Sequence, residues 1–252
     1  MKLKYLGICG ILSLLSYTAM VVFSPLAYPG YNWITAAVSE LTAVDAPSLG
    51  LATQLNALFG PCGIVCISAV SVACLNTKSK VFKVGILLFL AMMWITNVGY
   101  TMFPYITDAE ANNIQNVMHL IVTVLVVLLS IASLVTIFVG SRFDKSQKVI
   151  GILALVTLGF MMLGAIGTNA FKSVFGLFER FSTFSVVVYN ACLGIWLLLG
   201  MFDGNNKSRK LINEEKTHSI FFRFHYQQTK NNIISIKISK SFLLYEFLCR
   251  SE

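Results

Sequence analysis

Six apolar runs, each long enough to cross a bilayer as a helix, constrain this chain more than any other feature. A crossing takes about 20 residues at 1.5 Å rise per residue. The runs extend from Tyr5 to Ala27, Leu49 to Leu75, Val84 to Phe103, Asn113 to Val139, Val149 to Ala170 and Phe181 to Phe202. Hydrophobic residues make up 56% of the 252 and charged residues 12%, where soluble domains carry about 25% charged residues. The expected fold is therefore all-α, a polytopic membrane protein of six transmembrane helices. A transmembrane β-barrel would instead show alternating segments of about 10 residues. A disulfide-stapled secreted module is excluded because most of the six cysteines lie inside apolar runs.

Lys2 and Lys4 ahead of the first run resemble a signal peptide, but the run exceeds the 7 to 15 residues of such a segment and no A-x-A-like site closes it. It is read as an uncleaved first helix. Lys and Arg in the short connections set the orientation. Lys2, Lys4, Lys78, Lys80, Lys83, Arg142, Lys145 and Lys148 fall on one side, and only Lys172 and Arg180 on the other, eight against two. Both termini are expected to be cytoplasmic, in the cell membrane.

The net charge of +8 divides evenly: residues 1–202 hold ten basic and six acidic residues, and residues 203–252 hold nine and five. Such a spread reflects topology and attraction to anionic lipid, so membrane lipids are the expected partners and nucleic acid is not. Oligomeric state is not readable from these residues. The expected organisation is a six-helix transmembrane domain over 1–202 and a basic cytoplasmic tail over 203–252, disordered or lying on the membrane surface. The alternation at Ile234–Ser239 is strand-like but lacks a partner strand.

Polar side chains inside spans cost about 2.5 to 3.5 kcal/mol each at a helix centre and so require a partner or a wet cavity. Here they gather toward the extracytoplasmic half: Asn97 and Tyr100 on the third span, Asn112, Asn116 and His119 on the fourth, Thr168 and Asn169 closing the fifth, Arg180 and Asn190 on the sixth. The first outer loop adds Ser39, Glu40 and Asp45, and the second Asp108 and Glu110. Spacings of four and three place Asn112, Asn116 and His119 on one face, and Arg180, Thr183, Val187 and Asn190 on another. Gly60, Gly63 and Pro61 on the second span, and Gly159, Gly164 and Gly167 on the fifth, permit close helix approach or a kink. Asn97, Asn169 and Asn190 are expected to hydrogen-bond between helices, and Tyr28, Tyr31, Trp33 and Tyr105 to anchor the interface.

The candidate ligand-binding set is therefore Ser39, Glu40, Asn116, His119 and Arg180, with Arg180 at the outer mouth of its span and Glu40 its first expected partner, Glu179 competing. Catalytic residues are not assigned; Glu40 and His119 are the candidates, because a carboxylate and an imidazole suit proton transfer. The structural alternative is that Glu40 and Arg180 only lock the loop to the sixth helix, and that His119 donates to Glu40 or to a backbone carbonyl. No metal site and no cofactor is expected: the spans carry a single His, and Walker A, GxGxxG, H-E-x-x-H and GxSxG patterns are all missing.

Tyr28-Pro29-Gly30-Tyr31, Val38-Ser39-Glu40-Leu41, Phe103-Pro104 with His119 downstream, and Gly176-Leu177-Phe178-Glu179-Arg180 resemble the pattern of domain-of-unknown-function family 998 of bacteria and archaea. The likeness covers residues 5–202. A more distant similarity, to the Frag1/DRAM/Sfk1 type of six-helix protein, rests on the Ser-Glu loop and the His. What the resemblance implies is a six-span fold with an outer polar cluster; it supplies no reaction. Three functions remain open: binding of a lipid headgroup or small polar ligand in an outer pocket, catalysis on a lipid-like substrate at the outer leaflet, and small-solute transport.

Overall fold

The structure is a computed structural model that describes residues 2–110 and 113–202. Asn112 and the tail over 203–252, with the expectations placed on them, lie outside the described residues.

Six segments are long and apolar enough to span a membrane: Leu3–Ala27, Leu49–Cys74, Lys80–Met102, Ile114–Ser141, Lys145–Ala170 and Lys172–Leu198. Their main helices are α1 (Ile8–Phe23), α2 (Leu49–Asn56), α3 (Phe59–Cys74), α4 (Lys80–Met102), α5 (Ile114–Ser141), α6 (Lys148–Ala170) and α7 (Phe175–Leu198). No strand occurs among the described residues. Polar side chains cap the starts of α4 and α5. Ser79 Oγ accepts from Phe82 N at the head of α4, and Asn113 Oδ1 accepts from Gln115 N at the head of α5, each satisfying an otherwise orphaned N–H.

The second span is one apolar run in sequence and two helices in space. Pro61 has no N–H to offer the carbonyl four residues back, and the chain turns at residues 57–58 before α3 begins. Serines of α1 meet the opened backbone: Ser13 Oγ donates to Phe59 O at 2.7 Å, while Ser16 Oγ donates to Leu55 O and accepts from Leu58 N.

α1 packs on both α2 and α3, and α3 to α7 each pack on the next in the chain; α1 closes the ring against α7, with α3 also reaching α7. Phe82, Phe89, Met92, Leu134, Ile137, Ile150, Met161 and Tyr189 fill the centre. A second cluster joins Tyr17, Met20 and Ala52 to Val38 and Leu41 of the 28–48 connection. Leu41 is fully buried there, so the connection sits on the bundle by apolar insertion, contributing about 1.5 to 3 kcal/mol per buried side chain. Leu15, Leu87, Trp94, Leu128 and Leu163 remain exposed, the surface a bilayer would cover.

The connections fall at two ends. Lys78 N donates to Asp144 Oδ2 and Gln147 Nε2 to Met201 O at one end. At the other, here the loop end, connection 28–48 meets both connection 103–113 and the start of α7.

Candidate functional site

Three consecutive residues of the first loop-end connection are each held by a charged side chain. Ala36 O accepts from Arg180 Nη1 at 3.2 Å, Ala37 N donates to Glu40 Oε1 at 2.8 Å, and Val38 N donates to Glu179 Oε2 at 2.7 Å. The opening turn of α7 adds Leu177 N, which donates to Ile34 O; that donor is one of those a helix start cannot use internally. Gly176 lets the connection come this close, since a Cβ there would run into Ala36 O.

Arg180 lies inside its helix, five residues past Phe175, and is 8% exposed. The helix thus begins six residues before the start expected at Phe181. An isolated charge looks like a helix boundary, yet here the guanidinium is met by acceptors: Gly176 O at 2.7 Å and Tyr31 Oη at 2.7 Å, besides Ala36 O. Those bonds use three of its five N–H donors. Tyr31 in turn donates to Ala37 O at 2.8 Å, so this expected interfacial anchor is a link in the network. Burial, opposed by the adjacent guanidinium, pushes the Tyr31 hydroxyl above its ordinary pKa.

Glu40 and Arg180, expected as an ion pair, hold neighbouring peptide groups of one segment through different atoms. Glu179 lies within electrostatic reach of both and also of Tyr17 and Tyr100. Ser39 is part-buried and opens a 3₁₀ turn over Ser39–Thr42.

Asn116 and His119 form a second group, on α5. His119 Nδ1 is 2.8 Å from Phe103 O, which fixes it as the donor. Asn116 clamps one residue from both sides, accepting from Ile106 N and donating to Ile106 O, both at 3.0 Å, and Gln115 Nε2 donates to Pro104 O. The His119 ring packs between Tyr100 and Tyr105, at centroid distances of 4.9 and 5.5 Å. The hydrogen bonds of His119 and Arg180 have no partner in common.

Asp45 joins the two connections. Its carboxylate accepts from Thr107 N at 3.0 Å and Asp108 N at 2.8 Å, beside Val44 N donating to Tyr105 O. The Thr107 N–H in particular holds the Asp45 carboxyl down at about 2.

Two expected interhelical residues turn back on their own helices instead: Asn97 Nδ2 donates to Met93 O and Asn169 Nδ2 to Ala165 O, each four residues earlier. Asn190 alone of the three hydrogen-bonds to another helix, at Gly63 O, while the Asn97 amide packs against Gly60 of α3. Gly164 and Gly167 seat Phe178 and Ser182 of α7, whereas Gly159 faces open space.

Sequence reasoning did not anticipate a groove of about 440 Å³ between α6 and α7, lined among others by Leu153, Phe160, Leu177, Arg180, Phe184 and Cys192. No group of three or more His, Cys, Asp or Glu side chains able to hold a metal occurs among the described residues. The fold and these motifs meet in one comparison: the family model described as a protein of unknown function (DUF998) matches residues 11–196. The chain belongs to the DUF998 family. No curated protein and no solved structure matches it. The DUF998 match takes in both groups of the candidate site, Glu40 with Glu179 and Arg180, and Asn116 with His119.

Proposed function

We propose that this DUF998 chain binds an anionic amphiphile of the cell membrane, with an acyl chain in the α6–α7 groove and an acidic headgroup at Arg180. The observation that carries this reading is the groove. Its lining is mostly apolar, with Thr157, Arg180, Ser185 and Tyr189 among the lining residues, and its volume of about 440 Å³ lies within the range of roughly 300 to 1,000 Å³ usual for small-molecule sites. From Leu177 to Cys192 it follows α7 for fifteen residues, or about 22 Å, longer than one leaflet's half of the roughly 30 Å hydrocarbon core. The turn that closes its loop end carries Lys172. Two guanidinium N–H donors of Arg180 remain for a phosphate or carboxylate, groups that guanidinium recognises in a planar fork.

The excess of Lys and Arg at the opposite end of the bundle supports a cytoplasmic placement of both termini, which puts the loop end and the headgroup at the outer leaflet. Glu40, Asn116, His119 and Asp45 then serve the site indirectly by fixing the connections around it.

Mass spectrometry of lipid retained by the purified protein tests this reading. Val188→Trp, in the groove wall, is expected to remove most retained anionic lipid while the protein still folds. Arg180→Gln is expected to shift the retained lipid from anionic toward zwitterionic species. Unchanged lipid in both variants overturns the reading.

An enzymatic reading has one observation in its favour, the Glu179 carboxylate beside Arg180, where an acid/base group would meet a bound headgroup. Turnover of a lipid panel that is indifferent to Glu179→Gln counts against it.

A further inference from the structure

Two consecutive peptide groups of connection 28–48 are each held on both sides. The group joining Ala36 to Ala37 offers its oxygen to Arg180 Nη1 at 3.2 Å and its N–H to Glu40 Oε1 at 2.8 Å. The next, joining Ala37 to Val38, accepts the Tyr31 hydroxyl at 2.8 Å and gives its N–H to Glu179 Oε2 at 2.7 Å. Two carboxylates and one guanidinium therefore stand around a few backbone atoms, with Arg180 Nη1 no more than about 9 Å from Glu40 Oε1 along the bonded path. The hydrogen bonds of Arg180 among the described residues go to Ala36 O, Gly176 O and Tyr31 Oη, and so to neither carboxylate.

The ionisable groups facing Glu179 are Glu40 and Arg180, with the phenols of Tyr17 on α1 and Tyr100 on α4; Tyr31 faces both glutamates from the connection. None of the phenols supplies positive charge. The one imidazole among the described residues, His119, is committed to Phe103 O. The cluster thus carries two negative charges against one positive, and both glutamates are part-buried, where charges act on one another more strongly than in water. An anionic headgroup at Arg180 makes it three against one. A proton on one carboxyl is the least costly way to relieve that excess.

We propose that the Glu40–Glu179 pair takes up one proton from solvent when an anionic headgroup binds Arg180, so that mild acid tightens the site and alkali loosens it. The proposal rests on the amphiphile reading and adds its regulation. The proton belongs to the pair, because two carboxyls this close titrate together. A protonated carboxyl keeps an oxygen that accepts from a peptide N–H, so the connection stays in place while the charge is lost. Coupling is reciprocal: if the bound anion draws in a proton, a proton already present strengthens anion binding by the same factor.

Titration of the full-length protein in detergent micelles with phosphatidylglycerol bearing a fluorescent acyl chain, read by anisotropy, tests it. The phosphodiester keeps its single charge between pH 8 and pH 5.5, so a change in Kd reports on the protein. Binding is expected to be about tenfold tighter at pH 5.5 than at pH 8, the scale of one charge–charge coupling in a part-buried site. Glutamine retains the acceptor oxygen at both positions, and the double variant Glu40→Gln/Glu179→Gln is expected to bind at pH 8 at least as tightly as the unmodified protein does at pH 5.5, with no response to pH. Saturable binding of equal strength at the two pH values overturns the proposal and leaves the amphiphile reading standing. A pH response that survives in the double variant also overturns it, by assigning the proton elsewhere, to His119 first. Absence of saturable binding at either pH overturns the amphiphile reading itself, and this proposal with it.

Discussion

Glu40 and Glu179, 139 positions apart in the chain, accept hydrogen bonds from adjacent peptide groups, those of Ala37 and Val38. With Arg180 on Ala36 O, three charged side chains of the loop end engage three consecutive residues of one connection. A charge in an apolar surrounding needs partners, and here a folded connection supplies them.

Replacing Arg180 by Leu should therefore loosen connection 28–48 as well as the headgroup site. Its bonds to Ala36 O, Gly176 O and Tyr31 Oη disappear together. Hydrogen bonds to charged groups contribute about 1.5 to 3 kcal/mol each, so an overall loss of roughly 3 kcal/mol or more is expected. Chemical denaturation in mixed micelles measures it, and faster amide exchange at residues 34–38 locates it.

The Asp45 latch should respond to acid and not to base. A carboxyl held at about 2 against an ordinary aspartate value of about 3.9 stabilises the folded protein above pH 4. That contribution fades as pH falls from about 4 toward 2, because the unfolded chain binds the proton first. Exchange of the Thr107 and Asp108 amides, compared between the native protein and Asp45→Ala, is expected to converge near pH 2 and diverge above pH 4.

His119→Ala and Arg180→Leu should act independently on stability. Their hydrogen bonds serve different connections, Phe103 O in one case and Ala36 O in the other, and separate sites add to within about 0.5 kcal/mol. A double-mutant cycle on unfolding free energy is expected to show coupling below that level. Strong coupling would instead mean one shared pocket.

The six crossings were legible because twenty apolar residues in a row admit few other structures. Their ends agree with the structure to within about five residues, save at the sixth span, where Glu179 and Arg180 look like a boundary and are internal. What makes them internal is the path of residues 34–38, which no local pattern encodes. Glu40, His119 and Arg180, expected around one outer pocket, each hydrogen-bond to backbone of the connections for the same reason: sequence showed which side chains needed partners, and not that peptide groups would provide them. Asn97 and Asn169 likewise found carbonyls on their own helices. The groove has no motif, because it arises from the spacing of α6 and α7 rather than from any one residue. Glu179 did carry a signal, as the second charge beside Arg180 in an apolar run.

Orientation is open to a direct check. Thr35 and Lys145 are both exposed, at opposite ends of the bundle. In intact cells a membrane-impermeant maleimide is expected to label Thr35→Cys and to reach Lys145→Cys only after permeabilisation; the reverse pattern would place the headgroup site at the inner leaflet.

The most direct test of the account uses a photoactivatable phosphatidic acid with a diazirine in its acyl chain, cross-linked to the protein in nanodiscs and mapped by peptide mass spectrometry. Adducts should concentrate on residues 153–160 and 181–192, and fall sharply in Val188→Trp. Adducts spread evenly over the exposed faces of α1, α4 and α5, with no response to that substitution, would contradict it.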